Sequence, residues 1–297
     1  MFKRIALFVL LNFCIVISLS LIIGIFGLYP RITAYGYEWK SLAVFCLVWG
    51  MGGAFISLAL SRKIAKWMLK VKIVDDSHPL KAKIRALAAR AHLKHVPEVG
   101  IFESNMVNAF ATGPTQKRSL IAVSSKLLET MEGSELDAVL GHEMAHIKNG
   151  DMVTMTLLQG VVNAFVMFLA RIIASFLGGG RDRRNGAGAY FLTVWLLEVV
   201  FMVFGAMVIC FYSRRREYRA DIGGARFSSR SSMIAALKRL GKAHTNEREA
   251  MPQSMRAMMI RPTRATGFLS LFATHPPIEE RVRRLEQSVH DQAYTSV

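Results

Sequence analysis

The chain has 297 residues, 52% of them hydrophobic and 20% charged, with 38 Lys and Arg against 21 Asp and Glu. The apolar residues gather into runs too long for the helices of a globular core, which excludes a wholly soluble protein. The formal charge of +17 lies in clusters that abut those runs, with no RNA- or DNA-binding motif beside them. It fits an anionic membrane surface, and we expect a lipid bilayer and no nucleic acid as its partner.

The first run, IALFVLLNFCIVISLSLIIGIFGL (5–28), is long enough to cross about 30 Å of hydrocarbon as a helix. It exceeds the apolar core of a signal peptide and no small-x-small cleavage site follows, so it reads as a retained anchor. The second run, SLAVFCLVWGMGGAFISLAL (41–60), reads as a second span, with Trp39 and Trp67 near its ends as interfacial residues. Lys3 and Arg4 precede the first span, and Arg62, Lys63, Lys66, Lys70 and Lys72 follow the second. The loop between them carries only Arg31 and Lys40, with Glu38 offsetting one of them. The positive-inside preference therefore puts the N-terminus and everything from residue 62 in the cytoplasm. Cys14, Cys46 and Cys210 stand singly inside apolar segments and suggest neither a disulfide framework nor a thiolate metal site.

Residues 73–151 read as soluble structure. HPLKAKIRALAARAHL has helical periodicity, with Leu80, Ile84, Leu87 and Ala91 on one stripe. Three short strands are predicted at 99–103, 108–112 and 120–124. The turn residues of GPTQKRS make a hairpin of the last two. Ser134, with Asp137 three residues later, resembles a capping box opening the helix ELDAVLGHEMAHIKN, and Gly150 is a natural stop.

A third apolar run covers 152–177 and a fourth 190–212, joined by the basic loop GGGRDRRNGAGA. Gln159, Asn163, Arg171 and Glu198 interrupt this pair, and Arg181, Arg183 and Arg184 in its loop oppose a full crossing. Full spanning and partial packing against the protein both fit. Arg171 and Glu198 stand at similar distances from the loop centre, which allows them to pair. From 213 onward YSRRREYRADIGGARF and MIAALKRLGKA read as helices, a Met-rich stretch at 251–259 as a loop, and PPIEERVRRLEQ as an amphipathic helix with Pro276 and Pro277 in its first turn. The expected organisation is an N-terminal transmembrane hairpin (1–72), a first part of a catalytic domain (73–151), a second hydrophobic hairpin (152–212) and the rest of the catalytic domain (213–297).

The chemistry is concentrated in HEMAH. His142 and His146, four apart, share one helix face and can share one ion, which suits Zn2+. Glu143 is placed to take a proton from a water at that ion. Gly141 and Ala145 are small, which allows close approach on the metal side. A catalytic site needs a third protein ligand. REYRAD offers Glu217, with Asp221 one turn later to orient a histidine through its second ring nitrogen. The bland alternative for that pair is a solvated helix, since Arg214, Arg215, Arg216 and Arg219 surround it. HLKH (92–95) lacks an adjacent acid and reads as surface. For His146 and Glu217 to meet, the chain between them must cross the membrane an even number of times or not at all.

NAFATG (108–113), HEMAHIKNGD (142–151), EYRAD (217–221) and HPPIEER (275–281), in this order and interleaved with two apolar pairs, resemble the HtpX family of membrane-bound zinc metalloproteases. That family is related more distantly to the Ste24-type CAAX proteases. The resemblance implies a mainly α fold with a small β-sheet, a multi-pass membrane protein carrying a zincin-like HExxH catalytic domain. It implies one Zn2+ per subunit on His142, His146 and Glu217, with Glu143 as catalytic base. His275, by its place in HPP and by the resemblance, is the candidate donor to the oxyanion, with Arg281 as a possible assistant. Asn108 and Ala109 become candidate substrate contacts on an edge strand. The expected activity is cleavage of misfolded or damaged membrane proteins in stress-related quality control at the bacterial inner membrane, with the active site facing the cytoplasm. The competing readings are a non-catalytic chaperone or scaffold that keeps a metal site, and a transporter or metal sensor. The sequence leaves the oligomeric state open.

Overall fold

The structure is a computed structural model that describes residues 39–177, 186–249 and 271–293. The first apolar run and the Met-rich stretch lie outside them. The chain divides into two compact units, one comprising residues through Ser57 with Thr154–Ile209, the other Leu58–Val153 with Cys210 onward.

The first unit is built from apolar helix. Helix α1 (Trp39–Met68) contributes its first part, α5 (Asp151–Leu177) nearly all of its length, and α6 (Gly186–Phe227) its first half. All three are long and apolar enough to cross a membrane. Val48 and Trp49 on α1 and Phe191 and Trp195 on α6 are exposed, as lipid-facing side chains are. The polar residues that interrupt the sequence pattern find partners here. Arg171 Nη1 donates to Glu198 Oε1 at 2.7 Å and to the Met167 carbonyl at 2.9 Å, and Gln159 donates to Asn163 at 2.8 Å.

The second unit has a four-stranded sheet in the order β1-β2-β4-β3, from Lys72–Ile73, Glu98–Phe102, Leu120–Ser124 and Ala109–Thr112. Strands β2 and β4 are parallel, with Val99 opposite Ile121; β3 runs antiparallel to β4, with Ala109 opposite Val123. The hairpin expected across GPTQKRS is present, with a short 3-10 turn at Gln116–Arg118. LIAVS is apolar almost throughout because β4 is a central strand, buried at all five positions. β3 is an edge. Helix α2 (Pro79–Arg90) presents the expected stripe, with Leu80, Ile84 and Leu87 buried and Ala91 just beyond its end. That stripe joins Ile121, Leu127, Leu140, Met144, Ile147 and Leu237 in the core of the unit.

Two expectations about helix ends are corrected. Helix α4 (Gly133–Asn149) is not capped by Ser134 and Asp137. The cap residue is Glu132, whose backbone N–H donates to Glu135 at 3.1 Å, while Asp137 points away to Lys83 at 2.6 Å. A Glu two residues upstream competes with Ser because Glu135 then falls at the reciprocal position of the box. The final helix, α8 (Ile278–Ala293), begins after both prolines, and the Pro277 carbonyl accepts from Glu280 and Arg281 N–H groups. The fourth apolar run and the basic helix read after it form one unbroken helix, α6, because helical hydrogen bonding is indifferent to which side chains flank it. Gly150 ends α4 as expected, at φ 66°, with its N–H donating to the carbonyls of the last turn.

Candidate metal centre

Helix α4 places His142 and His146 on one face, and both are buried. Their Nε2 atoms lie 3.1 Å apart. Glu217 comes from α6, with Oε2 3.5 Å from His142 Nε2 and Oε1 3.3 Å from His146 Nε2. The two helices meet where their side chains are smallest. A Cβ added at Gly223 would stand 2.5 Å from Ala145 Cβ, and one at Gly141 3.2 Å from the Gly224 carbonyl oxygen. The small residues flanking the histidines thus let the ligand-bearing backbones approach, as the sequence suggests.

These donors fit a metal ion. Ligands held about 2.0–2.1 Å from a tetrahedral ion stand about 3.3 Å from one another, and the three distances bracket that value. Two imidazole nitrogens facing each other at 3.1 Å require something shared between them. Glu217 Oε1 is buried with no hydrogen-bond donor among the described residues, an expensive arrangement unless a cation satisfies it. His142, His146 and Glu217 form the group of at least three metal-type donors found among the described residues. His92 and His95 are exposed and belong to no such group.

Each histidine is held from behind. His146 Nδ1 lies 2.6 Å from Asp151 Oδ2. His142 Nδ1 lies 3.0 Å from Asp221 Oδ1, off the line of a well-formed hydrogen bond. Asp221 in turn accepts from Arg281 Nε at 2.8 Å and Nη2 at 2.5 Å, and both residues are buried. Burial opposes charging of His142, but the Asp221 and Glu217 carboxylates outweigh it and lift its pKa to about 10 in the absence of a metal. Burial would raise the Asp221 carboxyl; Arg281 and His142 hold it below its usual range instead. With a cation held at the two Nε2 atoms, the rings would be neutral and their Nδ1–H groups would keep facing Asp221 and Asp151.

Glu143 is buried beside His142 on the same helix. His275 reaches the site from the segment before α8, with Nδ1 2.9 Å from Glu217 Oε2 and most of its ring exposed. Asn108 precedes β3 and is tied to β4, its N–H donating to Ser124 Oγ at 3.0 Å and its carbonyl accepting from the Ser124 N–H at 2.9 Å. Ala109 opens β3, which packs against α4. The structure therefore gathers His142, Glu143, His146, Glu217, Asp221 and His275. Sequence reasoning missed Asp151, although Gly150 already marked it as the first residue beyond the turn that carries His146. It also left Arg281 undecided, because only burial separates a solvated arginine from one that holds an aspartate.

The profile of Peptidase family M48 matches residues 76–289, most of the chain. The chain belongs to this family. Among curated relatives of this M48 chain are proteins named Protease HtpX homolog from Paracidovorax citrulli, 43% identical, and from Thiobacillus denitrificans, 44% identical. The first alignment covers 96% of this chain and 99% of the relative, the second 95% and 98%. A protein named Protease HtpX from Thioalkalivibrio sulfidiphilus is 40% identical over 96% of this chain and 98% of its own length. The crystal structure of S. mikatae Ste24p shares the fold, with a TM-score of 0.60 at 19% identity. That match covers 91% of the M48 chain but spans only 64% of the Ste24p chain. The expected family is therefore shown, and the mainly helical fold with a small sheet is the one observed. The protein is a membrane metalloprotease.

Proposed function

We propose that the protein is a zinc endopeptidase of the bacterial inner membrane, that its active site faces the cytoplasm, and that it cleaves misfolded or damaged membrane proteins under stress. The observation that carries the reading is the triangle of His142 Nε2, His146 Nε2 and Glu217, with Glu143 buried next to His142 on the same helix. Two imidazoles and one carboxylate suit zinc and leave a position for water. Bound there, zinc would supply an acidified water and a polarised carbonyl.

The chain's own groups perform the remaining work. Glu143 accepts the proton of the attacking water and delivers it to the departing amine. His275, exposed at the edge of the site, donates to the oxygen of the tetrahedral species. Asp221 and Asp151 fix the two imidazoles in the tautomer that leaves each Nε2 free. The edge strand β3, entered through Asn108 and Ala109, offers main-chain hydrogen bonds to an extended substrate, a mode of binding that reads shape over sequence. Such breadth suits a quality-control protease. The orientation follows from the basic cluster that begins at Arg62.

The test is metal analysis with turnover of an unfolded membrane-protein substrate for wild type and Glu143→Gln. We expect one zinc per chain in both, and a loss of turnover of at least about 100-fold in the variant, the scale of a general base. Unchanged turnover with zinc retained would remove Glu143 as the catalytic base. A chaperone that merely keeps a metal would bind substrate equally in both forms and cleave it in neither.

A further inference from the structure

Four residues of α6 stand at helical spacing, Cys210, Arg214, Glu217 and Asp221, and each reaches the same incoming segment. Cys210 Sγ donates to the Phe272 carbonyl at 3.3 Å. Arg214 Nη1 donates to the carbonyls of Leu271 at 3.0 Å and Ala273 at 2.7 Å. Glu217 meets His275 and Asp221 meets Arg281. Contacts follow the same order along both segments, so a single stripe of α6 fastens the strap 271–277 and the start of α8.

The strap is irregular chain with much of its surface exposed. It contains only a short turn at Leu271 and Phe272 before the chain reaches the prolines, and Leu271, Thr274 and His275 are exposed. Exposed irregular backbone opens at low cost unless its carbonyls are held. Arg214 holds two of them, one on each side of Phe272, through hydrogen bonds strengthened by its charge. It recognises backbone, so its action does not depend on which side chains the strap carries.

We propose that Arg214 is a positioning residue for catalysis, which clamps the strap so that His275 is delivered to Glu217 and held over the metal centre. Its effect on rate passes through His275, and in that respect the proposal rests on the reading of His275 as oxyanion donor. The clamp itself does not.

Two measurements on the full-length chain in lipid nanodiscs separate the clamp from the donor. Hydrogen exchange of the backbone amides of 271–275 is compared between wild type and Arg214→Ala, both loaded with zinc. The clamp requires strap exchange at least about 10-fold faster in the variant, with α4 protection and zinc content unchanged. Equal exchange overturns the proposal, as does loss of protection throughout the catalytic unit. Turnover is then measured for Arg214→Ala, His275→Ala, the double variant and Arg214→Lys. Arg214→Ala should lower kcat about 10-fold with KM little changed, and the double variant should be no slower than His275→Ala alone. Arg214→Lys, whose ammonium can donate to both carbonyls, should recover part of the loss. Multiplying effects, or a loss confined to KM, refute the coupling. Full activity of His275→Ala with a loosened strap in Arg214→Ala refutes the donor reading and leaves the clamp standing.

Discussion

Each unit of the molecule contains an arginine paired with a carboxylate on another helix, and the two pairs are built differently. Arg171 and Glu198 meet through one nitrogen at 2.7 Å, and each keeps between a fifth and a third of its side-chain surface exposed. Arg281 grips Asp221 with two nitrogens, and both are almost wholly buried. The first pair closes a polar gap between apolar helices, and its energy goes into holding them together. The second holds an aspartate that faces His142, so most of its worth lies in the geometry and charge of the candidate metal centre. A single link suffices where only attachment is required; a fork is needed where orientation is the product.

The largest expected effect comes from breaking the second pair. Asp221→Ala leaves the buried Arg281 guanidinium with only a long contact, to Glu217 at 3.9 Å, among the described residues. That costs about 3 kcal/mol, the low end of the range for a broken buried pair, and it frees the back of His142. Unfolding of the variant should occur at a much lower denaturant midpoint, and its zinc affinity should fall about 10–100-fold, read by competition with a chelating dye. A second perturbation leaves every charge in place. Gly223→Ala drives a methyl against Ala145 and should cost about 1–3 kcal/mol through overpacking, with turnover falling more than stability because Glu217 is displaced from the histidines. If both fall together, the close approach serves packing alone.

The first pair should respond more mildly. Arg171→Gln and Glu198→Gln should each destabilise by about 1 kcal/mol, and the exchanged pair Arg171→Glu with Glu198→Arg should recover most of it. Turnover per folded molecule should stay constant throughout. An exchange that recovers nothing would show that each residue has another partner.

The smallest effect is one of pH. Asp221 is held below its usual carboxylate range, so its contribution is complete above about pH 3.9, the unfolded value, and is lost only as pH falls further, through the folded value. The difference in Tm between metal-free wild type and Asp221→Asn should therefore be largest near pH 5 and shrink below about 4. The comparison starts at pH 5 because His142, lifted to about 10 in the folded protein partly by Asp221, has an unfolded value near 6.5 and adds a pH dependence of its own between about 5 and 7.

The legible part of this molecule is what a local pattern can encode. LIAVS reads as a strand because four of its five positions are apolar and turn residues precede it, and HEMAH had to turn two imidazoles to one side because their spacing is four. Arg171 and Glu198 could be matched by their distance from a loop. The illegible part lies in competitions between near-equal local choices and in burial. Glu132 outranks Ser134 as a cap by satisfying two groups at once, which no single-residue preference reveals. Arg281 differs from the exposed arginines Arg283 and Arg284 only in what the fold places over it. Asp151 was hidden because it belongs to a different helix from the histidine it serves, and sequence periodicity ends at the glycine between them.

That glycine has a consequence of its own. At φ 66° Gly150 reverses the local winding of the main chain within one residue, and so a carboxylate from the next helix swings back to the imidazole of the last. Any side chain at 150 would pay about 1–2 kcal/mol for this twist and could relieve it only by swinging Asp151 away. The tightness with which the ion is grasped is therefore governed in part by an atom that is missing, the β-carbon of a residue that never touches it.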